Sequence, residues 1–292
     1  MRIKRWLSVF AVLFVLFALF CIYLIVLSYT KLTVREYEIP VSGLETPVKF
    51  AVLADLHCNT FGEENSELIA AVKAQSPDGI LLAGDLLNRH AKSHRDVISL
   101  VKALTEIAPV YSSVGNHEVD YLAQNGEAFL REMKAAGAVL LDRSYTEAVL
   151  GGQTVRIGGL YDYPFAADGF DSCRKETMAP AVYNFLTDFQ QTALPKVMIA
   201  HRPEGYILGE SSVTWEIDAV VSGHYHGGQI VLPFLGGIWA AEQGLFPDYL
   251  HGVYQKDKIQ LFITSGLGSG SKLIPRFNNP PELAVLTLVP EP

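Results

Sequence analysis

The sequence predicts an α/β domain preceded by one N-terminal membrane-spanning helix. Three observations point there. A long run near the N-terminus is apolar and free of charge. Beyond it, apolar strand-like runs alternate with amphipathic helices at a spacing of about thirty residues, the length of a strand–helix–strand unit. The runs also end repeatedly in Asp, Asn or His, and parallel sheets bind ligands just beyond the carboxyl ends of their strands.

The first element runs from Trp6 to Leu27, after Arg2, Lys4 and Arg5, and contains no charged residue. It is long enough to cross a bilayer, which takes about 20 apolar residues. A cleavable signal peptide is the competing reading. Its apolar region usually spans about 7–15 residues and ends in small ones, whereas this run ends in Leu27-Ser28-Tyr29-Thr30. Basic residues before the run outnumber Lys31 and Arg35 just after it, which favours a cytoplasmic N-terminus and an extracytoplasmic domain. The expected division is an anchor over 1–30, a linker and edge strand over 31–47, and one folded domain over 48–292.

Val48 to Ala54 is strand-like and ends in Asp55-Leu56-His57. Residues two apart in extended chain point to one side, so Asp55 and His57 can reach one ion. Leu68, Ile69 and Val72 fall at helical spacing within Glu63–Gln75, and Pro77 stops that helix. Gly79 to Ala83 is the next strand, closing on Gly84-Asp85. Val97, Ile98, Val101 and Leu104 mark a second helix, followed by a strand to Val114 and then Gly115-Asn116-His117-Glu118. Asp85 lies thirty residues after Asp55, and Asn116 thirty-one after Asp85.

Phe129, Leu130 and Met133 repeat the helical pattern before Gly137 and a short strand over 138–141. Residues 145–160 read as a hairpin turning at Gly151-Gly152. Residues 161–177 have no period and are candidates for a cap over the site or a plain surface loop. Val182, Phe185, Leu186 and Phe189 form a helix face. Lys196 to Ala200 ends in His201-Arg202-Pro203, and Ala219 to Ser222 in Gly223-His224-Tyr225-His226-Gly227-Gly228. Further strands are expected at 230–232, 258–264 and 283–288. The long loop over 233–252, rich in Phe, Leu and Trp, reads as core filling or as an apolar wall for a lipid-like substrate.

The net charge of −8 and pI near 5.5 argue against a nucleic-acid partner. Three cysteines make no disulfide framework: Cys21 lies in the apolar run, and Cys58 and Cys173 show no metal spacing. Asp55, His57, Asp85, Asn116, His201, His224 and His226 supply enough donors for two divalent ions. Imidazole suits Zn, Fe and Mn, and the oxygen donors favour the harder choices. Two ions about 3.5–4 Å apart can hold the attacking and phosphoryl oxygens of an in-line displacement.

The ordered set D-x-H, G-D, G-N-H-E, a lone His and G-H-x-H, from Asp55 to His226, resembles the calcineurin-like metallophosphoesterase family. The N-terminal run, His226-Gly227-Gly228-Gln229 and Gly266-Leu267-Gly268 resemble its bacterial membrane-associated branch, some of whose enzymes act on UDP-diacylglucosamine. The resemblance implies a four-layer α-β-β-α sandwich and a metal-bridging hydroxide that cleaves a phosphoester or pyrophosphate bond. It implies one ion held by Asp55, His57, Asp85 and His226, and a second by Asp85, Asn116, His201 and His224. His117 would face the scissile phosphate without ligating, either stabilising charge or protonating the leaving oxygen. Glu118 replaces an Asp common in the family. The substrate is then a phosphorylated small molecule or a lipid-linked one. A phosphomonoesterase or general phosphodiesterase for soluble substrates, and a non-catalytic membrane-tethered metal-binding protein, are the alternatives. His90 and His94 read as exposed loop residues and His251 has no assigned role. Arg202 and Arg276 are candidates for phosphate contact, salt bridges or surface positions.

Overall fold

The computed structural model describes residues 2–160, 178–207, 215–240, 243–270 and 274–291. Residues 161–177, where a cap was one expectation, lie outside the described set. Helix α1 covers Arg2–Thr30, and its apolar side chains from Trp6 onward are largely exposed. Strands β1 (Thr33–Val41) and β2 (Val48–Leu53) follow, then α2 (Ser66–Ala74) and β3 (Gly79–Ala83). Helix α2 starts later than the sequence pattern suggests because Glu64 and Asn65 take positive φ, a conformation that interrupts a right-handed helix.

The repeat continues with α3 (Arg95–Thr105), β4 (Val110–Ser113), α4 (Asn116–Asn125), α5 (Ala128–Ala135) and β5 (Val139–Leu140). A hairpin of β6 (Ser144–Leu150) and β7 (Gln153–Leu160) leads to α6 (Pro180–Phe189), β8 (Lys196–Ala200), α7 (Glu204–Ile207) and β9 (Ala219–Ser222). Four two-residue strands come next: β10 (Val231–Leu232), β11 (Gly236–Gly237), β12 (Trp239–Ala240) and β13 (Gly244–Leu245). Strands β14 (Gly252–Lys256), β15 (Ile259–Ile263) and β16 (Glu282–Pro290) complete the chain.

Two six-stranded sheets face each other, in the orders β1-β16-β2-β3-β4-β5 and β14-β15-β9-β8-β7-β6. Strands β2 to β5 are parallel, as are β15, β9, β8 and β7, so each sheet collects several carboxyl ends along one side. The period-2 alternation of the strands separates the cores. Phe50, Val52 and Leu81 point between the sheets, where they meet Val155, Ile157 and Val197. Their neighbours Ala51, Leu53, Ile80 and Leu82 point outward onto α2, α3 and α5. A third core packs Leu186 and Phe189 of α6 onto the far face of the second sheet. Helix, sheet, sheet and helix thus form four layers. Each large side chain buried this way stabilises by about 1.5–3 kcal/mol.

His94 is only partly exposed: Nδ1 lies 2.9 Å from the Tyr121 hydroxyl and the ring packs on Phe129. His90 is exposed, as read from its loop. The long loop after residue 232 folds into short ribbons and the start of β14, and it divides its apolar residues. Ala240 is buried and Tyr249 and Leu250 pack on the core, but Phe234, Leu235, Trp239, Leu245 and Phe246 are exposed.

Candidate metal centre

The sequence-predicted residues converge where carboxyl ends of both sheets meet. Asp55 follows β2, Asp85 follows β3, Asn116 opens α4 after β4, His201 follows β8, and His224 and His226 follow β9. Backbone hydrogen bonds lock these turns together. Asp55 N–H donates to Gly84 O (3.0 Å), His57 N–H to Asp85 O (3.0 Å) and Gly223 N–H to His201 O (3.0 Å). Asp55, His57, Asp85, His224 and His226 all have positive φ, which costs energy for non-glycine residues and clusters at functional sites. Gly115 permits a close approach, because a Cβ there would overlap Asp85 Oδ1.

Donor atoms gather in three groups, each within 4.8 Å: Asp55, His57 and His226; His57, Asp85 and His117; and Asp85, His201 and His224. Asp85 Oδ2 is 3.1 Å from His201 Nε2 and 3.8 Å from His57 Nε2. Asp55 Oδ1 is 3.7 Å from His226 Nε2 and 3.8 Å from His57 Nε2. The His57 and His226 Nε2 atoms face each other at 3.3 Å. Asn116 Oδ1 is buried and accepts no hydrogen bond. A buried carbonyl oxygen left over in this way is costly unless something binds it. Carboxylates, imidazoles and one neutral carbonyl therefore fit divalent cations.

The protein fixes which nitrogen each imidazole presents. His201 Nδ1 lies 2.7 Å from Ala83 O and His226 Nδ1 lies 3.2 Å from Gly268 O, so these nitrogens carry the hydrogens and Nε2 faces the site. Burial drives His57 down to about 3 and His226 well below its usual value, keeping both rings neutral with lone pairs free. Burial raises Asp55 to about 7. Burial opposes charge on Asp85 too, but His201 and His57 hold it ionised. His201 is raised to about 10 because Asp85 and Asp55 outweigh its own burial.

That last shift sets a pH dependence. At neutral pH His201 is protonated, so a cation bound at its Nε2 would have to displace that proton, and affinity is expected to rise with pH toward about 10. Asp55 adds a fraction of a second proton near pH 7. Calorimetric titration of Mn²⁺ in two buffers of different ionisation enthalpy is expected to give different apparent heats. Equal heats would contradict the assignment.

Two carboxylates that the sequence reading missed or underrated support the site. Glu118 Oε2 accepts from Asp85 N–H (2.7 Å) and Gly115 N–H (2.8 Å), and Oε1 from Leu87 N–H (2.7 Å). This buried side chain ties the Asp85 turn to the start of α4, and burial pushes its pKa up to about 8. Glu204 Oε1 lies 3.3 Å from His224 Nε2. Loss of such an outer partner typically costs about 10–100-fold in metal affinity. Glu204→Gln is expected to fall in that range by metal titration with its fold intact, and unchanged affinity would remove Glu204 from this role.

Arg276 is placed differently from a phosphate clamp. Arg276 is fully buried, donating to Ser265 O and Gly268 O (2.8 Å each) and to Asn279 O (3.0 Å). It is an internal strut that holds Gly268 O beneath His226. Arg202 is buried with Nε 3.5 Å from Glu204 Oε2. His251, unassigned from sequence, sits 2.6 Å from Glu282 Oε2 and 2.8 Å from Tyr37 Oη. It links β1, β16 and the start of β14.

The sequence model of one family, described as calcineurin-like phosphoesterase, matches residues 48–228. The chain belongs to that family. The matched span holds Asp55, His57, Asp85, Asn116, His117, His201, His224 and His226. An uncharacterized metallophosphoesterase of Campylobacter jejuni is 28% identical over 261 residues, 87% of this chain and 63% of its own. One from Helicobacter pylori is 26% identical over 267 residues, 88% of this chain and 64% of its own. The chain thus spans a little under two thirds of these two relatives. A protein of Escherichia coli named Phosphodiesterase YaeI is 27% identical over 249 residues, 83% of each chain.

Proposed function

We propose that this calcineurin-like phosphoesterase is a membrane-anchored phosphohydrolase that uses two divalent ions, Mn, Zn or Fe, to cleave a phosphoester or pyrophosphate bond. The observation that carries the reading is the donor set: the clustered carboxylates and imidazoles, together with a buried Asn116 Oδ1 that accepts no hydrogen bond. Asp55, His57, Asp85 and His226 would hold one ion, and Asp85, Asn116, His201 and His224 the other. The bound ions supply Lewis acidity, polarising phosphoryl oxygens and activating water.

His117 supplies a hydrogen bond to the reacting phosphate. Its Nδ1 accepts from Arg89 N–H at 3.1 Å, so the neutral ring carries its hydrogen on Nε2. Burial lowers its pKa, which keeps the ring neutral. A ring in that form donates from Nε2 and has no lone pair there for a cation. This favours stabilisation of phosphoryl charge over delivery of a full proton.

Residues 1–30 act as the anchor, 31–47 as linker and edge strand, and 48–292 as the hydrolytic domain. Retention of the helix is supported by contacts at its end: Asn279 N–H donates to Ser28 Oγ (2.9 Å) and Arg276 N–H to Tyr29 Oη (3.1 Å). The flanking charges favour a cytoplasmic N-terminus and an extracytoplasmic domain.

A lipid-linked substrate is supported by a cavity of about 360 Å³ that runs from His224 and His226 to Ile230, Ile238, Trp239 and Ile274. Phosphate at the ions would place an apolar chain among those side chains. The test is hydrolysis by the full-length protein in detergent of bis-p-nitrophenyl phosphate, p-nitrophenyl phosphate and a lipid-linked pyrophosphate, with each metal supplied separately. Preference for the lipid pyrophosphate by kcat/KM is expected, and preference for the soluble monoester would contradict it.

A further inference from the structure

The helix that would anchor the chain and the ribbons beside the site are joined through one short segment. Ser28 and Tyr29, in the last turn of α1, accept hydrogen bonds from Asn279 and Arg276. Between those two residues, Phe277 N–H donates to Gln229 O (3.1 Å) and Phe277 O accepts from Val231 N–H (3.0 Å) at the start of β10. The ribbons are then tied to each other: Ile238 N–H donates to Ile230 O and Phe246 N–H to Ile238 O, both at 3.0 Å. The end of the apolar helix and the ribbons therefore share one hydrogen-bonded support.

The ribbons carry apolar side chains into solvent. Phe234 is fully exposed in the turn between β10 and β11, and Leu245 and Phe246 are 70% and 60% exposed beyond β12. Trp239 is half exposed while also lining the apolar cavity. Exposed aromatic and aliphatic residues in one place mark an interaction surface, and Trp favours the membrane–water interface. From Pro203 to Gln255 the sequence contains no Lys or Arg, so attraction to anionic headgroups does not explain the patch.

We propose that the β10–β13 ribbons are a second membrane contact: Phe234, Leu235, Leu245 and Phe246 insert among the acyl chains of the bilayer that α1 crosses. The occupant is a lipid surface, because the patch continues through the 276–279 segment from a helix end that leaves the bilayer near Thr30. The contact places Trp239 and the cavity at the interface, so that a lipid-linked phosphate reaches His224 and His226 without leaving the membrane. It is apolar and independent of anionic lipid. The inference rests on the reading of α1 as a retained anchor.

The experiment is tryptophan quenching of the full-length protein reconstituted in pure phosphatidylcholine vesicles, with plain or brominated acyl chains. Comparison with Trp6→Phe and Trp239→Phe separates the two contributions. Brominated lipid is expected to quench both Trp6 and Trp239. The Trp239 share should be lost in Phe234→Asp/Phe246→Asp, whose hydrolysis of soluble bis-p-nitrophenyl phosphate stays unchanged. Quenching of Trp6 with none of Trp239 overturns the second contact and leaves the anchor standing. Absence of Trp6 quenching overturns the anchor and, with it, this inference. Trp239 quenching that persists in the double variant overturns the assignment to these side chains.

Discussion

Replacing Asp85 by asparagine is expected to leave a folded protein that no longer holds its metals at working concentrations. Asp85 belongs to two of the three donor groups. Its Oδ1 accepts from His117 N–H at 2.8 Å while Oδ2 faces His201 and His57. An amide of the same shape preserves the Oδ1 acceptor and hence the start of α4. It removes the negative charge that two ions would share. Metal affinity should fall by more than about 100-fold, beyond the range for losing an outer partner, and hydrolysis should fall with it. Circular dichroism establishes that the fold persists, and metal analysis after dialysis reads the loss. Undiminished metal content would remove Asp85 from the shared position.

The second large effect separates chemistry from binding. His117→Ala is expected to retain both metals and lose about 10²–10³ in kcat, the usual cost of removing one donor to developing charge. The contact from Arg89 N–H to Nδ1 makes the role specific. If His117 is a neutral donor, His117→Gln, which offers an amide N–H, should recover part of the loss, and activity should not follow an imidazole titration. If His117 were a ligand, as its grouping with His57 and Asp85 would also allow on distance alone, alanine would cost metal. Loss of metal from His117→Ala contradicts the donor role.

The strand ends were legible because each rests on a local pattern: an apolar run, then Asp, Asn or His within two or three residues. The approach of Asp55 to His226 does not follow from those runs, because β2 and β9 lie in different sheets and their ends meet only where the two sheets face each other. Glu204 was not legible as a partner of His224, since the sequence places it in a four-residue helix and only the packing of α7 brings its carboxylate within 3.3 Å. Arg276 differs: its charge suggested phosphate, but carbonyls of its own loop, at Ser265, Gly268 and Asn279, enclose it. His94 looked exposed because Tyr121 and Phe129, which half bury it, come from α4 and α5. The ribbons β10 to β13 are two residues long each, too short for a period of two to register.

One site is expected to hold two ions and to hydrolyse phosphoesters only when both are present. The direct measurement titrates the metal-stripped full-length protein with Mn²⁺ while following both bound metal and bis-p-nitrophenyl phosphate hydrolysis. Activity is expected to rise with occupancy of the second ion and to saturate at two per chain. Full activity at one ion per chain, or saturation at two with no hydrolysis of any phosphoester, would contradict it.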